Sequence, residues 1–419
     1  MLLPDKTILD DSIRRDDYAM TFYFEAPHKT LSTCNLNGGI RRDLKAVFNH
    51  SCSNTYWVKH KEPANMDNFS ILGYYSEIAQ RIGVDPRFVT GLSTAARIEN
   101  TSYSRLTLKT LTVEVFATAG LDVNAGRAGD PAAWNELDEQ DLMPPAGTIN
   151  LFIFINGNLD DGTMARALVM ATEAKTSILQ DLMVSGSYSE GLATGTGTDG
   201  VVIVCDENSP NRLTNAGKHS VLGEMIAKCV RQAIADALFN QSLLSPSRQC
   251  NIYYQQKRYG ITPQSLLSIL QSDHPEITSQ QDIECLKKLI VQTFKDHDLV
   301  AKVAALFQVV DENRNGLLPD TALEKVASIL LPTLLLSQED ELNIPKLCDF
   351  ESHVDLPLSL KWKEPDLSLL AENRQDLFTF PEGRLLKLYK SRTAKYYEAV
   401  VCCVAEALTK NVFYMFKSI

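Results

Sequence analysis

The densest collection of chemically capable side chains lies between residues 171 and 219. It opens with Ala171-Thr-Glu-Ala-Lys-Thr176, passes through Ala193-Thr-Gly-Thr-Gly-Thr-Asp-Gly200 and closes with Thr214-Asn-Ala-Gly-Lys-His219. Cleavage at a carbonyl needs an activated water or side-chain nucleophile, donors for an oxyanion, and an acid for the leaving group. The hydroxyls of Thr194, Thr196 and Thr198, the Asp199 carboxylate, Lys175, Lys218, His219 and the amides around Gly195 and Gly197 include a candidate for each part. The same groups would also suit a polar ligand.

Gly195-x-Gly197-x-x-Gly200 has the letters of a dinucleotide fingerprint. That fingerprint works after a strand and before a helix, where phosphate meets a helix N-terminus. Here a polar loop precedes it and the β-like run Val201–Cys205 follows, so the dinucleotide reading is rejected. What remains is a tight turn rich in amides and hydroxyls; a simple chain reversal is the plainer alternative.

Two helices must carry the flanking groups. Residues 163–184 read as one, entered through Asp160-Asp161-Gly162-Thr163, with Met164, Leu168, Ala171, Ile178 and Leu182 on one stripe. Lys175 falls within that stripe, so it must snorkel, find a partner or give up its charge. Glu173 points to the solvated face with Arg166, Ser177 and Gln180. A second helix is expected over roughly 216–240, capped by Thr214 or Asn215, with Lys218 and His219 in its first turn. A helix N-terminus keeps an imidazole neutral and fit for base or electrophile work. A core-edge histidine bonded to a backbone carbonyl is the alternative.

Together with segments further upstream, this stretch resembles the adenosylcobinamide amidohydrolase family. The matching pieces begin with Leu31-Ser-Thr-Cys-Asn-Leu-Asn-Gly-Gly39, Phe48-Asn-His50 and Gly91-Leu-Ser-Thr-Ala-Ala96. They continue with Ala119-Gly-Leu-Asp-Val-Asn-Ala-Gly-Arg-Ala-Gly-Asp-Pro131 and Gly147-Thr-Ile-Asn150, and end in the three segments of 171–219 with Ser220. The chain departs from the family's usual pattern at Cys34-Asn-Leu-Asn37, and the resemblance does not reach past about residue 240.

The resemblance implies hydrolysis of the amide joining the aminopropanol arm to the corrin ring, with the cobalt corrinoid as substrate and no cofactor evident in the protein. The chemistry then suggests His219 as base and acid, oriented by Asp199, with Lys175 as the third catalytic candidate. Substrate contacts are expected from Asn37, Gly38, Gly39, Thr94, Asn150, Glu173, Thr194, Gly195, Thr196, Gly197, Thr198 and Lys218. A threonine nucleophile among Thr194, Thr196 and Thr198 stays open, and no metal ligands are assigned. A corrinoid-binding sensor or carrier without hydrolysis is the competing reading.

The supporting elements give an α+β or α/β domain over residues 1–244: a mixed sheet with long flanking helices. Strands are expected at Tyr18–Phe24, around 44–48, at Leu106–Ala117, Ile149–Asn156 and Val201–Cys205, a short strand or turn at Val89–Ala95, and a helix at 68–82. The alternation in Leu106–Ala117 and Ile149–Asn156 predicts half-buried strands. Asn37-Gly38-Gly39 reads as a hairpin turn or a close approach to ligand, and His50 as structural. Residues 120–147 form a long loop and a candidate cover for the site.

Past 245 the texture becomes mostly helical: Ser242–Gln256 is linker-like, and helices are expected near 262–271, 280–294, 297–310, 320–336 and 383–417. Asp311-Glu-Asn-Arg-Asn-Gly316 resembles half an EF-hand loop, but Ala322 stands where the closing acid belongs, which favours a plain helix-connecting turn. This half carries no catalytic constellation; it fits an interaction or dimerisation module, or an embellishment of the first domain.

A net charge of −11 argues against nucleic-acid binding, which wants a basic face. Nine scattered cysteines with no C-x-x-C pair suggest reduced thiols. The opening apolar run is too short for a signal peptide, and no stretch reaches the ~18 apolar residues of a membrane span. A cytoplasmic protein acting on a small molecule, with a homo-oligomer allowed, is the expectation.

Overall fold

A computed structural model describes residues 3–52, 71–132, 147–337, 342 and 395–418. The chain divides into two compact units, residues 1–186 with 192–245 and residues 187–191 with 246–419.

The first unit contains ten main strands: β1 (Ser12–Arg15), β2 (Ala19–Tyr23), β3 (Lys29–Ser32), β4 (Gly39–Arg41), β5 (Ala46–Ser51), β6 (Val89–Thr94), β7 (Ser102–Leu108), β8 (Leu111–Ala119), β9 (Ile149–Ile155) and β10 (Gly200–Cys205). They form a four-stranded sheet ordered β1-β2-β5-β6 and a six-stranded sheet ordered β4-β3-β10-β9-β8-β7. Both sheets are mixed, since β5–β6 and β9–β10 are parallel and the other neighbours antiparallel.

Period-two alternation sorts the side chains into layers. Phe116, Phe152, Phe154, Val202 and Val204 meet the four-stranded sheet, where the Phe22 ring lies 5.0 Å, 5.3 Å and 4.9 Å from those of Phe116, Phe152 and Phe154. The alternate residues Val113, Val115, Leu151, Ile153 and Ile203 meet helices α2 (Asp161–Asp181) and α3 (Val221–Ser242). Helix α1 (Ile71–Arg81) covers the far side of the four-stranded sheet, with Tyr75 against Phe48 and the Tyr74 hydroxyl 2.6 Å from His50 Nδ1. The layers therefore run helix, sheet, sheet, helix pair. Each buried phenylalanine contributes about 2–3 kcal/mol of transfer free energy, and the interlayer seam concentrates four of them at Phe22, Phe116, Phe152 and Phe154.

This layering corrects two sequence expectations. Strands β8 and β9 are buried along their whole length, on both faces, because each face has a layer on it. The single strand expected over Leu106–Ala117 is a hairpin of β7 and β8, broken at Lys109, whose φ of 54° makes the turn.

In the second unit, α4 (Pro263–Asp273), α5 (Gln280–Phe294), α6 (His297–Arg314), α7 (Asp320–Leu330) and α8 (Tyr396–Lys417) build a separate apolar core. Thr262, Ser279 and Asp296 cap the first three through their side-chain oxygens. The linker-like 242–256 instead contains the short helices Pro246–Gln249 and Ile252–Gln256, with Ile252 and Gln256 buried.

The EF-hand-like segment does not form a calcium loop. Asp311 lies in the last turn of α6, where Arg258, 2% exposed, forks onto its two oxygens at 2.7 Å and 2.6 Å and Tyr259 donates at 2.6 Å. Helix α8 is long and apolar enough to cross a membrane by length and composition alone, but 56% of its most apolar window is buried, as in the core helix of a helical unit. Tyr396, Val400, Val404 and Leu408 face the helical core, while Tyr389 lies outside the described residues.

Candidate active site

The parallel pairing of β9 and β10 sets Asn150 opposite Gly200. It also brings Asp199, just before β10, to the backbone at the start of β9, where the Ile149 N–H donates to Asp199 Oδ1 at 2.9 Å. The same oxygen accepts the Thr196 hydroxyl at 2.6 Å, and Oδ2 accepts the Thr196 N–H at 3.0 Å. Helix α2, capped by Asp160, buries Met164, Ala167, Met170, Ala171 and Ala174. This leaves Lys175 at the rim of its apolar face, paired with Asp199 Oδ2. Side-chain exposures of 13% for Lys175 and 11% for Asp199 place the pair largely out of water, where each ion depends on the other.

Gly195 is needed by this pair. A Cβ there would lie 2.2 Å from Asp199 Oδ2 and 2.7 Å from Lys175 Nζ, so the loop can close over the ions only without a side chain. Gly195 and Thr196 are held in a short antiparallel ladder with Gly126 and Ala125. The Thr194 N–H donates to Gly126 O at 2.8 Å, and its hydroxyl accepts the Ala128 N–H at 2.9 Å. Its carbonyl accepts the Thr176 hydroxyl at 3.2 Å. Thr198 donates to Gly147 O at 2.9 Å and meets the Thr148 hydroxyl at 2.7 Å, while Asn124 also donates to Gly147 O, at 3.0 Å. Gly197 is the exposed residue at the apex.

Lys175, Thr194, Gly195, Thr196, Gly197, Thr198 and Asp199 are thus brought together. Thr176, Asn124 and Thr148 join them without having been singled out by residue type. Each sits inside a segment that carried the family resemblance, which was the available signal.

The other candidates bond to different groups. Helix α3 begins at Val221 with Ser220 as its cap, later than the 216 expected, so Lys218 and His219 precede the helix rather than forming its first turn. Lys218 pairs with Glu173 at 2.9 Å on the exposed surface. His219 is exposed, with no hydrogen bond or ion pair among the described residues. Among the described residues the bonds to Asp199 come from Ile149, Thr196 twice and Lys175, and none comes from His219, so the expected Asp199–His219 pair is not formed.

Asn37, Gly38 and Gly39 make the β3–β4 turn. The Asn37 amide holds Pro86 O and Val89 O at 2.6 Å and 2.7 Å, and a Cβ at Gly38 would meet Cys34 O at 2.0 Å. Thr94, buried, accepts the Ala96 N–H at 3.0 Å. Asn150 is fully buried between the sheets, donating to Asn49 Oδ1 and Ser93 O at 2.9 Å. Among the described residues no cluster of three or more His, Cys, Asp or Glu side chains could hold a metal ion.

The constellation offers a fixed cation, a carboxylate and a hydroxyl aimed at that carboxylate at a charge-assisted length. Such a set suits attack on a polarised carbonyl, with the cation near the developing negative charge.

Comparison with known proteins places this geometry in context. A protein of Methanocaldococcus jannaschii, described as uncharacterized, is 33% identical over 246 residues, covering 56% of this chain and 91% of its own length. An adenosylcobinamide amidohydrolase of Halobacterium salinarum is 33% identical over 137 residues, 32% of this chain and 53% of that enzyme. Among solved structures, a Pyrococcus horikoshii protein and a Burkholderia β-aminopeptidase align over 56% of this chain and 79% and 82% of theirs. Their identities are 14% and 12% and both TM-scores are 0.27, too loose a likeness to bear on the chemistry. The adenosylcobinamide amidohydrolase family model matches residues 4–246, more than half of the sequence, and the chain belongs to that family.

Proposed function

We propose that the chain hydrolyses the amide between the aminopropanol arm and the corrin ring of adenosylcobinamide, releasing aminopropanol and adenosylcobyric acid as a salvage step. The observation that carries this reading is the gathering of family-resembling segments around the Lys175–Asp199 pair. In this reading the Lys175 ammonium faces the carbonyl oxygen as negative charge develops there, and Asp199 fixes the position of Lys175 and orders the loop. Gly197, exposed at the apex, leaves room for a bulky substrate to reach the Thr196 side of the loop.

The test is incubation of the full chain with adenosylcobinamide, following both products by mass spectrometry. Release that falls on the order of a hundredfold or more in Lys175→Met supports the reading, a size typical of losing one oxyanion donor. Saturable corrinoid binding with no release overturns it in favour of a sensor or carrier.

A further inference from the structure

We propose that the Thr196 hydroxyl is the attacking nucleophile, so that cleavage passes through an ester between Thr196 and the corrin acid. This rests on the amidohydrolase reading above. Three threonine hydroxyls alternate with glycines in the loop, and their hydrogen bonds separate them. Thr198 directs its proton to the Gly147 carbonyl, a weak base that cannot accept it in a reaction. Thr194 accepts from the Ala128 N–H. Thr196 alone of the three donates to a carboxylate among the described residues, at 2.6 Å from Asp199 Oδ1. Its backbone N–H is anchored to Oδ2 of the same carboxylate at 3.0 Å, so hydroxyl and base are fixed at both ends. Gly195 and Gly197 on either side present no side chain to block the approach of a substrate carbonyl.

Thr196 Oγ bonds to the amide carbon as its proton passes to Asp199 Oδ1. Lys175 gives a proton to the leaving nitrogen, the C–N bond breaks and aminopropanol departs. The proton on Asp199 restores Lys175. Water then adds to the ester carbon, the C–Oγ bond breaks, and adenosylcobyric acid and the Thr196 hydroxyl are regenerated.

The experiment uses the full chain and adenosylcobinamide, with rapid acid quenching and mass spectrometry of the intact protein and its peptides. The expected result is an adduct of corrin-acid mass on the peptide holding Thr196, and diversion to the corrinoid hydroxamate when hydroxylamine replaces water. Thr196→Ala is expected to lose about a thousandfold or more in kcat and the adduct with it, a loss comparable to removing a nucleophile elsewhere. Thr196→Ser, which retains a hydroxyl, still forms the adduct, and a thermal unfolding profile matched to the wild type excludes misfolding of the alanine variant. Aminopropanol release by folded Thr196→Ala at near the wild-type rate, or wild-type turnover with neither adduct nor hydroxamate, overturns Thr196 and leaves the amidohydrolase reading standing. A wild-type chain that releases nothing overturns both.

Discussion

Glu114 offers a test of the fold that is independent of the site. It lies on β8, fully buried and facing the four-stranded sheet, where Oε1 accepts the Ile8 N–H at 2.7 Å and Oε2 accepts the Tyr103 hydroxyl at 2.9 Å. Burial outweighs these donors and pushes its carboxyl up to about 7, against an ordinary 4.5. The unfolded chain loses this proton near 4.5 and the folded chain near 7, so between those values the folded state holds more protons. Stability from this group is therefore full below about pH 4.5, falls as the pH rises to about 7 and is flat above. At about 1.4 kcal/mol per pH unit the loss is about 3 kcal/mol, or on the order of 6–12 °C in melting temperature for a unit of this size.

Glu114→Gln keeps the shape and one acceptor but cannot ionise. It is expected to flatten this dependence and, after about 1 kcal/mol for a poorer hydrogen bond, to exceed the wild type by about 2 kcal/mol above pH 7. Hydrogen exchange of β8 peptides across this pH range, corrected for intrinsic rates, reads the opening of the first unit separately from the second. Equal pH slopes for wild type and variant, or a variant less stable above pH 7, would refute the reasoning.

Four further outcomes follow from named contacts. Lys175→Met and Asp199→Asn should each destabilise the first unit by about 3 kcal/mol, while the double variant costs less than their sum, because either single change strands a largely buried ion; strict additivity in urea denaturation would show that the pair is not coupled. Gly195→Ala should reduce release of aminopropanol at least as much as Lys175→Met, since its Cβ would fall 2.2 Å from Asp199 Oδ2; unchanged turnover would mean that the loop does not need to close over the ions. His219→Ala, at an exposed position with no partner among the described residues, should keep stability within about 0.5 kcal/mol and turnover within roughly threefold, and a collapse of kcat would return His219 to the chemistry. Asp311→Asn should destabilise the second unit by about 3 kcal/mol by leaving Arg258 buried without its full counter-charge, and added calcium should leave the wild-type melting temperature unchanged; a calcium-dependent rise would reinstate a binding loop.

The division between what could be read from the chain and what could not follows the range of the forces involved. Element type was set locally: the apolar run of β9 and the 3.6-residue stripe of α2 formed where expected, and the run around Leu111–Ala117 formed strand although as half of a hairpin, because their periods match those geometries. Whether a strand face meets water or another layer is not local, and so Phe152 and Phe154, on one face of a strand expected to be only half-buried, became part of a second buried seam. The start of α3 was misplaced for a subtler reason. Thr214, Asn215 and Ser220 are all competent caps, and the choice of Ser220, whose oxygen accepts the Gly223 N–H at 3.1 Å, depends on Gly223 fitting against the Gly217 carbonyl, where a Cβ would come within 2.0 Å. That packing leaves His219 ahead of the helix, with no bond to the cluster among the described residues. The requirement that Lys175 find a partner was visible in its apolar stripe, yet its identity was not. Asp199 is 24 residues away, and only the parallel pairing of β9 with β10 fixes it beside the Ile149 amide and within reach of Lys175. Residue types named the chemistry available to the loop; sheet topology chose which carboxylate, which cation and which of three hydroxyls were brought into contact.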